Sequence, residues 1–267
     1  MKVTVTLQPK QTNKGITTLV AAAVPLQQNG YTDTSTKLPM RTTNIKLNLN
    51  HKAYLREPES TELGRRIIKE SILLIDQLGF EQFTFKKLAA VIGSTEASIY
   101  RYFENKHKLL VYLVSWYWAW VDYRVTFHTN NILDPRQRLS RAIDVITASS
   151  TDDPATAHIS ESSLYRIVIA ESSKVYLTKE VDLDNQEGYF LEYKRLCHHI
   201  AEMVLAINPA YPYPHALIST ILEATHQQLF FAQHLPSLTE IKGTQRPPEE
   251  AAAFIKHLVF AAIDQPL

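Results

Sequence analysis

Residues Phe83 to Leu110, FTFKKLAAVIGSTEASIYRYFENKHKLL, decide how the chain is read. Phe85, Leu88, Ala89 and Ile92 recur at helical spacing, and Thr84 stands where an N-cap hydroxyl accepts from free backbone N–H groups. Gly93 is where that helix stops, because glycine enters the left-handed region without a Cβ penalty. Thr95 then caps a second helix through Glu96, Ala97, Ser98, Ile99, Tyr100, Arg101 and Tyr102. Two short helices around a tight glycine-containing turn predict a helix-turn-helix whose second helix is free to enter a major groove. The competing reading is a helical hairpin inside any all-α protein. Against it stands the chemistry of the outward face: Thr95, Ser98, Tyr100 and Arg101 can all reach phosphates or base edges. Ala97 is small enough to allow close approach. Lys106 opens the following helix, where a cation and free N–H groups together favour a phosphate.

The stretch resembles the DNA-binding domain of the TetR family of bacterial transcriptional regulators. The resemblance rests on Thr84, Leu88-Ala89, Gly93, Thr95, Ile99-Tyr100, Tyr102-Phe103, Lys106 and Leu109-Leu110, in order and at the family's spacing, and it extends upstream over residues 58–110. Glu96 departs from it, holding a position where the family often has a basic residue. A carboxylate there suits the helix dipole but is repelled by phosphates; it can instead accept from a cytosine amino group. The resemblance implies an all-α fold, an N-terminal three-helix head joined to a helical-bundle domain for ligand binding and dimerisation. It also implies a homodimer on a near-palindromic double-stranded operator and repression relieved by a small effector; no cofactor and no enzymatic activity are expected. The expected DNA contacts are Thr84, Thr95, Glu96, Ala97, Ser98, Tyr100, Arg101 and Lys106.

The formal charge of +1 over 267 residues hides an uneven distribution. Residues 1–56 carry eight basic groups against one acid, Asp33, leaving twenty basic and twenty-six acidic groups for the rest. A basic arm before a DNA-binding module suits nucleic acid, though a solvated tail has the same composition. Domains are expected at 1–56 (loosely ordered arm), 57–105 (head) and 106–267 (regulatory and dimerisation domain). Within the arm, Lys2–Leu7 and Ile45–Leu49 alternate like strands, with Pro25, Asn29-Gly30 and Pro39 between them. Ile16–Leu26 resembles a short signal-peptide core weakened by two threonines. The single cysteine, Cys197, precludes an internal disulfide and fits a reducing cytoplasm. No apolar run reaches the roughly 20 residues of a membrane span.

Beyond the head, a long helix apolar nearly all round runs from Asn105 or Lys106 to about Phe127. Asp134-Pro135 starts another. Further helices are expected over 162–177, 184–207, 215–235 and 249–263, with NPAYPYP (208–214) as a hard break. Ile218, Ile221, Leu222, Leu229 and Phe230, with Ala252, Phe254, Ile255, Leu258, Val259 and Ala262, offer an apolar face for pairing subunits; a single-chain core would show the same residues. The aromatic side chains suggest a ligand pocket of Trp116, Trp120, Tyr123, Phe127, Tyr165, Tyr193, His226 and Phe230. An aromatic stripe at this spacing is also what plain core looks like. Cys197-His198-His199 point in different directions on a helix, and His226 and His234 lie too far apart to pair, so structural histidines are expected rather than a metal site. No glycine-framed serine, phosphate loop or HExxH is present.

Overall fold

Helix α1 (Glu62–Leu78) begins at Thr61, whose side chain accepts from Gly64 N–H, and stops at Gly79 with φ 76°. The computed structural model describes residues 5–10, 18–23, 47, 49–148, 152, 156, 158–242 and 247–265. After α1 come α2 (Phe85–Val91), α3 (Glu96–Tyr100), α4 (Lys106–Thr129), α5 (Pro135–Thr147) and α6 (Glu161–Glu171). The remainder is α7 (Ser173–Tyr176), α8 (Val181–Gln186), α9 (Leu191–Ile207), α10 (Pro214–His234) and α11 (Pro247–Asp264). The body is therefore all-α, a three-helix head followed by a helical domain. Among the described residues no helix is long and apolar enough to cross a membrane.

Contacts divide the chain into compact units 1–41 and 42–267. In the first, strands β1 (Val5–Lys10) and β2 (Thr18–Ala23) pair antiparallel from Val5 opposite Ala23 to Lys10 opposite Thr18. The strand expected at 45–49 is not formed at Leu47 and Leu49, which instead pack half-buried against the helical core. The partner of β1 lies in the Ile16–Leu26 run, because closing a short loop costs less entropy than closing one of nearly forty residues. Pro25, Asn29-Gly30 and Pro39 lie outside the described residues.

In the second unit α4 is the axis. Thirteen consecutive positions from Leu109 to Val121 are buried except Ala119, which is half-buried, so the helix has no solvent face over that length. It packs on α9, α5, α6 and α7. The head core contains Ile67, Ile68, Phe80, Phe83, Phe85, Leu88, Tyr102 and Phe103, all buried. Two expected helices are interrupted. The 162–177 helix breaks into α6 and α7 at Ser172, and the 184–207 helix breaks at Gly188, whose φ of 81° no side chain adopts readily.

Residues 49–60, expected to be arm in part, lie across the helical unit. Leu55 N–H donates to Tyr102 O at 2.8 Å and Arg56 sits 5.4 Å over the Tyr102 ring. Asn50 Nδ2 donates to Glu187 O at 2.7 Å, Lys52 pairs with Glu187 at 3.0 Å and Tyr189 donates its hydroxyl to Lys52 O. Pro58 is pressed so close to Gly64 that an added Cβ would stand 2.2 Å from Pro58 O.

The expected subunit-pairing face is mostly consumed within the chain. Ile218, Ile221, Leu222, Leu229, Ala252, Ile255 and Val259 are buried in the single-chain core. Only Phe230, Phe254, Leu258 and Ala262 keep surface. The sequence could not separate these cases, because both need the same stripe of apolar residues.

Gly64→Ala is expected to cost about 2–3 kcal/mol by forcing the Pro58 turn away from α1. Urea unfolding checks it: an unchanged midpoint would mean that the turn yields freely.

Candidate nucleic-acid interface and effector cleft

Local capping chemistry builds the helix-turn-helix. Thr84 Oγ1 accepts from Lys87 N–H at 3.2 Å and Thr95 Oγ1 from Ser98 N–H at 3.3 Å. Gly93 has φ 60°, and Ser94 N–H returns to Ala89 O at 2.9 Å, closing the end of α2. Arg66 donates to Ile92 O, tying that end to α1. Ile99 is the buried residue of α3, which turns Thr95, Glu96, Ala97, Tyr100 and Arg101 to solvent, with Ser98 half-buried. The Tyr100 ring packs edge-on to Phe85 at 5.0 Å and stays 48% exposed, a phenol held in one place yet accessible. Arg101 caps α3 through its backbone N–H, and its exposed guanidinium has no hydrogen bond or ion pair among the described residues. Lys86 on α2 is a further exposed cation that the sequence reading passed over.

Lys106 does not join this surface. Its ammonium donates to Phe80 O at 3.0 Å, Glu81 O at 3.2 Å and Phe83 O at 3.3 Å, and lies 4.6 Å from the Phe80 ring centre. All three donors are occupied in holding the α1–α2 loop, which gives Lys106 a structural role here beside the expected one on a phosphate. The same loop is gripped from α6: Glu171 accepts from Phe80 N–H at 3.1 Å, and Lys174 pairs with both Glu171 (2.7 Å) and Glu81 (2.8 Å). Arg166 makes a two-pronged pair with Asp76, at 2.9 and 2.5 Å.

The expected aromatic pocket divides. Trp116 and Trp120 stack on each other inside the core, and Arg124 lies over Trp120. Tyr123 (40% exposed) and Phe127 (67%) stack on each other nearer the C-terminal end of α4, where their rings are open to solvent, and neither lines a cleft with the tryptophans. Tyr165, Tyr193, His226 and Phe230 do line clefts. A cleft of about 690 Å³ between α6–α7, α9 and α10 is walled by Tyr176, Tyr193, Glu223, His226, Phe230 and Phe231, among others. A second, of about 780 Å³, shares Tyr176 and Tyr193. A third, of about 220 Å³, shares Phe230 and reaches Asp76 and Gly79 at the end of α1, with Tyr165 in its wall.

Around the first cleft the polar groups are sparse and specific. Tyr193 donates to Glu223 Oε1 at 3.1 Å, Trp118 Nε1 donates to Tyr176 Oη at 2.5 Å, and the Tyr117 hydroxyl lies 3.3 Å from His226 Nε2. Burial holds His226 down at about 4, neutral, and its Nδ1 is buried without a partner. Glu223 occupies an exposed position of α10, yet its surroundings desolvate the carboxyl enough to raise its pKa. Tyr176, Glu223 and Phe231 were missed by sequence reasoning. Glu223, His226, Gln227 and Phe230 lie at i, i+3, i+4 and i+7, so one flank of α10 carried the signal. Among the described residues no group of three or more His, Cys, Asp or Glu could hold a metal ion. His198 instead meets His215 at 3.3 Å and His199 meets Asp122 at 2.8 Å.

A helix-turn-helix head with an open recognition face, carried on a helical body with ligand-sized clefts, is the build of a DNA-binding transcription regulator. Residues 67–113 match the family model described as bacterial regulatory proteins, tetR family. Comparison with curated proteins gives no match. Among solved structures it is similar to AibR in complex with isovaleryl coenzyme A and operator DNA, at 17% identity and TM-score 0.52 over 73% of this chain and 98% of that one. It is also similar to the fatty acid degradation regulator FadR from Bacillus halodurans (14%, TM-score 0.51, 76% and 98%). A third is the TetR family regulator PfmR from Thermus thermophilus (15%, TM-score 0.51, 73% and 97%). At these identities the likeness is one of fold. The family and these relatives are regulators rather than enzymes.

Lys106→Met is expected to lower stability by about 1–3 kcal/mol, since three carbonyls lose a charged donor, while leaving the salt dependence of DNA binding unchanged. A slope shallower by about one unit would restore Lys106 to the phosphate contacts. For His226 the folded pKa of about 4 lies below the ordinary 6.5. The unfolded chain therefore binds the proton first as pH falls, and stability drops between about 6.5 and 4 by up to about 3 kcal/mol. His226→Leu should flatten that part of the stability–pH curve relative to wild type, measured by urea unfolding.

Proposed function

We propose that the protein is a homodimeric, sequence-specific transcriptional regulator, a repressor that leaves a near-palindromic operator when a small apolar or aromatic effector enters the body. The carrying observation is the face of α3: Thr95, Glu96, Ala97, Tyr100 and Arg101 exposed together, on a helix whose inner residue Ile99 is locked in the head. Tyr100 and Thr84 position on phosphates, and residues 95–98 with Arg101 read bases. Two copies pair through α10 and α11 over Phe254, Leu258 and Ala262, setting two recognition helices about 34–36 Å apart to meet successive major grooves. Such a regulator works in the cytoplasm. The AibR complex, with both operator DNA and an acyl-coenzyme A named in it, supports a fold that serves both ligands.

Effector control needs a ligand that favours one head arrangement over another. The wall of the clefts supports this, because α6 contributes Ile169 and Ala170 to the clefts and Glu171 and Arg166 to the head. A second reading, a ligand-independent DNA-binding protein whose helical domain binds a protein partner, draws on the exposed Tyr123–Phe127 stack on α4.

Fluorescence anisotropy on DNA from immediately upstream of the gene tests the DNA reading. Wild type is expected to bind tightly, with strong salt dependence and resistance to competitor, and Tyr100→Ala to lose about 1–3 kcal/mol. Equal, weak binding of both proteins to any duplex would remove α3 as a reader.

A further inference from the structure

We propose that the 690 Å³ cleft receives an organic ammonium ion, a protonated or quaternary amine on an apolar body, with Glu223 as its counter-ion and the Tyr176 and Tyr193 rings as its walls. This rests on the reading of the cleft as the effector site and names the class of effector. No lysine or arginine lines the cleft; Glu223 is its one charged group. That carboxylate accepts from Tyr193 at 3.1 Å and has no ion-pair partner among the described residues. Its field is felt uncompensated by its neighbours, since burial and Glu223 together push the Tyr193 hydroxyl and the Cys197 thiol upward, the thiol to about 11.

The remaining wall is what an ammonium ion recognises. Tyr176 and Tyr193 stack with centroids 5.4 Å apart, and Phe230 and Phe231 add further rings to the lining. A cation over such faces gains about 0.5–2 kcal/mol, more as water is excluded. His226 adds a neutral imidazole with an unpartnered Nδ1. An anionic ligand finds no positive charge here and one negative one. Lys194 lines only the adjoining cleft, and its ammonium is bonded to Asn185. The volume suits a drug-sized molecule.

The test titrates the full-length protein, without DNA, with four probes of matched shape: benzyltrimethylammonium, 4-phenylbutylammonium, 4-phenylbutanol and 4-phenylbutanoate. Tryptophan fluorescence and thermal shift report binding. The two cations are expected to bind at least about tenfold more tightly than the alcohol or the carboxylate, and Glu223→Gln to erase that preference. Glu223→Lys should abolish cation binding and admit the butanoate. Unchanged operator binding by both variants in the absence of probe shows that they are folded. Equal or tighter binding of the butanoate or butanol, indifference to Glu223→Gln, or no binding of either cation at millimolar concentration would each overturn the proposal. Operator release is then assayed separately. Butanoate binding that releases DNA would sink the ammonium assignment and keep the effector cleft, whereas Glu223-dependent cation binding without release would do the reverse.

Discussion

Helix α4 leaves no polar face to water from Leu109 to Val121, and the rest of the molecule is arranged around that constraint. A helix apolar all round must be covered on every side. The head covers its start, α5, α6 and α9 its length, so head and body cannot be separated without exposing it. Its first turn carries Lys106, His107 and Lys108, three basic side chains at the end where the helix dipole disfavours them. The fold resolves the conflict by directing the lysine charges elsewhere. Lys106 reaches back to the carbonyls of the α1–α2 loop. Lys108 reaches the buried carboxylate of Asp184 at 3.0 Å and the face of Tyr189 at 3.9 Å. Each cation thereby becomes a tie between the head or body and the shared axis.

What was legible in the sequence was what is decided locally. Thr84, Thr95, Asn105 and Asp134 all cap the helices they precede, each through a side-chain oxygen and the amide three residues on. Gly79 and Gly93 end helices with positive φ, and the head core fills with the aromatics that the periodicity assigned to it. What was illegible depends on partners distant in the chain. The three carbonyls around Lys106 come from residues more than twenty positions away, and nothing at Lys106 itself separates a phosphate ligand from a backbone one. The body's apolar stripes were visible, but not which of them close on the chain's own core. For the same reason the expected pocket residues divide between core, cleft and outer surface. Helical spacing shows that Trp120 and Tyr123 are neighbours, but not that one faces the core and the other water.

The clefts and the head share structure rather than merely lying near one another. Phe230 borders both the 690 Å³ cleft and the smaller one at the end of α1, where Asp76 and Gly79 belong to the head. Between them runs α6, with Glu171 and Arg166 on the head side. A ligand that displaces α6 by even a fraction of a hydrogen-bond length changes the geometry at Phe80 N–H and Asp76. Ionic and hydrogen-bonded contacts of this kind have sharp distance dependence, whereas a purely apolar joint would slide.

The strap of residues 49–60 bears on the order in which the molecule assembles. Its bond from Asn50 to Glu187 joins positions 137 residues apart. Closing a chain of that length costs about 4 kcal/mol of entropy before any contact is gained. Until α8 and α9 are in place, Asn50 has no acceptor there, and Gly188 must already hold its left-handed turn to leave room for the amide. The strap therefore docks late, over a body that is already formed. In reverse, its amides are expected to open to solvent exchange before those of α4, since the strap can come away with the helical axis intact.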